Sequence, residues 1–155
     1  MSCSSISLKQ VMALVVLLAG CGDDEARLWG SAANNYDLDF DTIEIFYQQS
    51  GGTFQAAIVQ YIRGKPTERQ IPVKVIANAP VEAGVTKNYD PRANPAPLSL
   101  TRAMSDASSF PDITVGSMTF DALDGPGTST SGKCFFTFAS GRTLNGEFSG
   151  TFQQL

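Results

Sequence analysis

The chain has 155 residues, with 11 Lys+Arg against 15 Asp+Glu, no His, 43% hydrophobic residues and 17% charged ones. That size and balance describe one globular domain, with no room for a second large core and no signature of disorder. A net charge of −4 argues against a general nucleic-acid binder, and the lack of His excludes Ser-His-Asp and Cys-His catalysis and every His-based zinc site.

The first twenty residues read apart from the fold. Lys9 and the terminal amine give a positive start, and Val11-Met12-Ala13-Leu14-Val15-Val16-Leu17-Leu18 is an unbroken apolar run. Crossing a hydrocarbon core of about 30 Å takes about 20 residues, so this run reads as the centre of a cleaved signal peptide. It leads into Leu18-Ala19-Gly20-Cys21, and the polar Gly22-Asp23-Asp24-Glu25 follows. Leu, two small residues and Cys directly behind an apolar run resemble the lipobox of bacterial lipoproteins. The resemblance implies cleavage before Cys21, a diacylglyceryl group on its sulfur and an acyl chain such as palmitate on its new amine. Two or more chains hold a protein on a membrane stably, whereas one does so marginally. In that family, Asp directly after the lipidated Cys favours retention in the inner membrane. Gly22 stands there, so the outer membrane is the expected destination.

Processing would leave residues 21–155 and remove only Lys9 among the charged side chains, taking the net charge to −5. An anionic membrane repels such a body, so attachment is expected to rest on the lipid and not on a basic patch. Cys3 leaves with the leader and Cys21 carries the lipid. Cys134 is then alone and no internal disulfide can form. It reads as a small apolar residue buried on a strand, since no His can activate it and Lys133 projects to the other strand face. The alternative is a reactive thiol or an intermolecular bridge.

Residues 21–35 read as the lipidated N-terminus and a short tether, and residues 36–155 as the folded domain. Trp29 is expected to cap the core, the alternative being a place at the lipid interface. From residue 36 the apolar period is two. Tyr36, Leu38 and Phe40 alternate with Asp37, Asp39 and Asp41; Ile43, Ile45 and Tyr47 then take the opposite parity, which implies a bulge or break. Ser50-Gly51-Gly52 is a turn, and residues 53–62 form the return strand of a hairpin. Residues 70–77 make the next strand, with Pro72 confined to its start or to an edge. Residues 84–97, with Pro91, Pro95 and Pro97, read as an irregular loop. Strands follow over 98–104 and 113–123, then a Gly/Ser-rich connection over 125–132.

The C-terminal hairpin is the clearest unit. Residues 133–139 place Cys134, Phe136 and Phe138 on one face. Residues 143–153 turn Leu144, Gly146, Phe148, Gly150 and Phe152 inward, with the glycines leaving space for bulky neighbours. Such strict alternation does not suit a helix of 3.6 residues per turn. Its sequence, Phe135-Phe136-Thr137-Phe138 through Gly146-Glu147-Phe148-Ser149-Gly150-Thr151-Phe152, is similar to the ending of small β-sandwich lipoproteins such as those of myxobacteria. That likeness implies a β-sandwich and no specific role. Some eight short strands joined by Gly/Pro/Ser loops predict an all-β fold, a two-sheet antiparallel β-sandwich.

Three constellations could carry chemistry. Asp37, Asp39 and Asp41 share one face of an extended segment, about 7 Å apart, where a calcium ion could offset their repulsion. An EF-hand is excluded by Thr42 and Gln48, and a solvated face paired with Lys or Arg is the plainer expectation. Paired carboxylates could serve a glycosidase without His, but no local motif marks an acid against a nucleophile. Tyr89, with Asp90 and Arg92 in the Pro-rich loop, could touch a sugar or a partner protein. Gly125-x-Gly127 lacks the remaining glycines and the following helix of a phosphate loop. The expected protein is therefore an envelope lipoprotein anchored through Cys21. It needs no cofactor or metal and acts as a binding or assembly module for a protein or glycan ligand. The alternative is a small carboxylate-dependent hydrolase of envelope glycans.

Overall fold

The computed structural model describes residues 26–106 and 108–155. The expected signal peptide over 1–20, the lipobox and Cys21 lie outside the described residues. Among the described residues nine strands are formed: β1 Arg27–Trp29, β2 Thr42–Ser50, β3 Thr53–Arg63, β4 Gln70–Asn78, β5 Thr86–Asn88, β6 Leu98–Ala103, β7 Ile113–Leu123, β8 Ser129–Phe138 and β9 Thr143–Gln154. Two single-turn 3-10 segments, Ser31–Asn34 and Pro66–Glu68, accompany them, and no α-helix occurs among the described residues. The protein is all-β.

The strands form one hydrogen-bonded path, β5-β7-β8-β9-β2-β3-β4-β6, with β1 added to β9. A parallel link joins Ile45–Tyr47 of β2 to residues 152–154 of β9, and the path curls until β6 approaches β7, giving a nearly closed, barrel-like sheet. Alternation in a sequence reports which face a residue takes, not which strand lies beside it. A three-residue link leaves no mark in that pattern.

Local chemistry explains most boundaries. Gly51 and Gly52 take φ of 58° and 80° between β2 and β3, which pair from Ser50↔Thr53 to Thr42↔Ile62. Only a residue without Cβ adopts such angles at little cost, and two in succession match the strand twist. Pro72 lies in the stretch between Ile71 and Lys74, where the β4–β6 register shifts and a missing N–H breaks no regular ladder. The segment 36–40 is not a strand. Its alternation nonetheless governs burial: Leu38 is buried while Asp37 and Asp39 are exposed.

Folded structure begins by Arg27 and not at Tyr36. Arg27, Leu28 and Trp29 pair with Glu147, Gly146 and Asn145. Gly30, at φ 127°, then passes so close to the Thr143 carbonyl that no Cβ fits, and Ala32 is fully buried. The stretch expected as tether is therefore partly built into the sheet.

Candidate functional site

The acidic segment resolves into ion pairs and caps. Asp37 pairs with Arg63, which reaches over from the end of β3, and its Oδ1 accepts the Asp39 N–H at 3.1 Å. The hydrogen bond from Arg63, then the one from Asp39, lowers the Asp37 carboxyl below its usual range. The Gly64 N–H donates to Asp41 Oδ2 at 2.8 Å. Two of the three carboxylates thus have protein partners. No cluster of three metal-ligating side chains is found among the described residues.

Tyr89 packs against the core, with its N–H on the Gly116 carbonyl at 2.8 Å. Asp90 accepts the Arg92 N–H at 2.9 Å and so shapes its own turn. The three are not gathered around a common space. Cys134 is buried and free. Burial pushes its thiol up to about 12, against a partial offset from the Gly146 N–H. A thiol held protonated is a poor nucleophile. Tyr61, buried beside it, donates its hydroxyl to the Glu147 carbonyl at 2.8 Å.

Two concave regions remain. The first lies on the outward face of β1, β9, β8, β7 and β5, where strand register lines side chains up in rows. One row runs Arg27, Glu147, Lys133, Thr119, Thr86. The next runs Trp29, Asn145, Phe135, Ser117, Asn88. Arg27 Nε donates to Glu147 Oε2 at 2.8 Å, and the same guanidinium lies 4.5 Å above the Trp29 ring. That hydrogen bond, with the charges of Arg27 and Lys133 behind it, lowers the Glu147 carboxyl. A groove of about 700 Å³ crosses this face, lined by Arg27, Asp121, Lys133 and Glu147 among others. A smaller hollow of about 260 Å³ lies between Trp29 and Phe135. Trp29 is exposed on this face and does not cap the core.

The second region is a cleft of about 450 Å³ at one mouth of the curled sheet. Tyr47, Val81, Leu123 and Phe152 give it an apolar floor, and Gln49 and Asp124 line it with polar groups. The Tyr47 and Phe152 rings are 5.3 Å apart, tilted at 48°. The mouth of a barrel-like sheet is a common place for a ligand, and this volume falls in the usual range.

The sequence reading singled out neither Phe135 nor this cleft. Phe135 carried a signal, as the one large aromatic on the outward parity of β8. The cleft carried none, because its walls come from four segments far apart in the chain. No family model, curated protein or solved structure matches the chain.

Proposed function

We propose that this chain is a lipid-anchored protein of the bacterial cell envelope, held through acylated Cys21, with the outer membrane its destination. There it acts as a non-catalytic binding or assembly module. Its two strand blocks face each other across the core as the layers of a flattened sandwich. The lipobox Leu18-Ala19-Gly20-Cys21 supports the anchor. The observation that carries the binding role is the cleft at Tyr47 and Phe152, whose apolar floor and polar lining suit part of a protein or glycan ligand. A glycan hydrolase needs one carboxyl kept protonated as the acid. Glu147, in the larger groove, is driven the opposite way by Arg27.

Two measurements test this reading. Cells fed a labelled fatty acid should label the parent protein and not Cys21→Ser; label that persists in the variant, or is missing from the parent, overturns the anchor. The full chain in mild detergent should bind envelope glycans or proteins saturably, more weakly after Gln49→Ala with Asp124→Ala, and turn none of them over. Glycan or ester turnover that a single Asp or Glu substitution abolishes would overturn the binding role.

A further inference from the structure

We infer that the outward face of β1, β9, β8, β7 and β5 lies against the interfacial layer of a zwitterionic bilayer, with Trp29 and Phe135 as its contact residues. This rests on the acylation of Cys21 proposed above.

The link from the anchor to this face is short. Five residues lie between Cys21 and Arg27, and the six steps they make span about 20 Å at full extension. Five strands about 4.8 Å apart make the face itself about 20 Å across. The anchor is therefore tied to the edge strand of this face by a link no longer than the face is wide.

The surface of this face is unusually apolar for the molecule. Among the described residues five large hydrophobic side chains are exposed, and three of them, Trp29 at 39%, Val115 at 55% and Phe135 at 36%, lie on this one face. Val115 pairs with Thr137 two residues along β7 from the Ser117↔Phe135 pair, so it shares their side. Indole rings gather at the headgroup level of membranes, where an apolar body and a polar N–H are both satisfied. The Arg27 guanidinium over Trp29 would sit at the depth of lipid phosphates.

The charges on this face cancel. Arg27 and Lys133 balance Asp121 and Glu147 in the groove, so the face is neutral although the mature chain is acidic. Asp39 lies beside β1 at the flank of the face, next to Asp37, whose charge Arg63 offsets. An anionic surface would repel that flank, whereas a zwitterionic one would not.

Trp29 is the chain's single tryptophan, so its emission reports on this face alone. The acylated full chain is placed in phosphatidylcholine vesicles brominated near the glycerol end of the acyl chains. The expected result is blue-shifted emission that loses at least half its intensity to the brominated lipid. Val115→Ser with Phe135→Ser should reverse most of both effects while the protein still floats with the vesicles. Replacing half the lipid with phosphatidylglycerol should weaken the quenching. A protein that floats but whose emission ignores bromine overturns the docking and leaves the anchor standing. Emission that responds to added envelope glycan or protein and not to lipid gives the face to a soluble partner, and overturns the docking too. A parent chain without fatty acid, or one that does not float, overturns anchor and docking together. The quenching of the unsubstituted chain decides the matter even if the double variant fails to fold.

Discussion

The two halves of the curled sheet build one core from different materials. The β2–β3–β4–β6 half supplies aliphatic side chains, among them Ile45, Val59, Val73, Val75 and Leu98, all within 1% of full burial. The β7–β8–β9 half supplies Phe120, Phe136, Phe138, Phe148 and Phe152, with Gly116, Gly132 and Gly146 between them on the same inward faces. A Cβ at Gly116 would stand 2.7 Å from the Phe136 ring, and one at Gly132 would stand 2.6 Å from Phe148 and still closer to the Thr119 carbonyl. Side chains of similar size fill the first half evenly. In the second, large rings lie over positions that must have no side chain. Both halves show the same period of two, yet they should fail differently, one through lost volume and the other also through an added methyl.

The comparison is tested hardest at Phe136. Phe136→Ala should cost about 3–5 kcal/mol, because a ring with no exposure leaves a void that neighbouring glycines cannot fill. Gly132→Ala should cost about 2–3 kcal/mol although it removes nothing, since the new methyl meets backbone as well as ring. Val75→Ala, in the aliphatic half, should cost about 2 kcal/mol from two lost methyl groups and the space they leave. Urea unfolding of the three variants checks the ranking. If Gly132→Ala is neutral, the aromatic half has slack and the contrast between the halves fails.

How much of this was legible in the sequence depends on the kind of information each feature needed. The inward residues of β8 and β9 could be read directly, because one buried face imposes alternation on every residue. The hairpin at Gly51-Gly52 was equally plain, since its turn demands positive φ. Segment 36–40 misled because alternation is set by burial, and burial does not require a ladder partner. The start of the fold was missed at Arg27–Trp29, where three residues are too few to show a period. The parallel link from β2 to β9 left no trace for the same reason. The ionic partners of the Asp segment could not be named either. Arg63 is 26 residues from Asp37, and its approach depends on where the hairpin ends. The Tyr47–Phe152 cleft was beyond reach because it exists only once four distant segments meet.

The seam between the halves offers the last and smallest test. Tyr61, on β3 of the aliphatic half, crosses the core to the Glu147 carbonyl on β9, beside Cys134. Burial raises Cys134 from 9.0 to about 12 and raises Tyr61 well above its ordinary 10.0. Both groups are neutral when protonated, and the folded state holds them so. Between pH 9 and 12 the unfolded chain gives up the thiol proton while the folded chain keeps it. The folded state then binds more protons, so stability is fully present below pH 9 and falls as pH rises toward 12. At pH 10 the loss from the thiol alone should be about 1 kcal/mol. The urea midpoint of the parent should therefore drop more steeply between pH 8.5 and 10 than that of Cys134→Ala, whatever the variant's starting stability. In the processed, acylated chain, Cys134 should also resist a thiol reagent at pH 8 and react only on unfolding. Equal slopes for the two proteins would mean that the seam opens to water before the halves separate. The two blocks would then be less tightly joined across Tyr61 than their shared core implies.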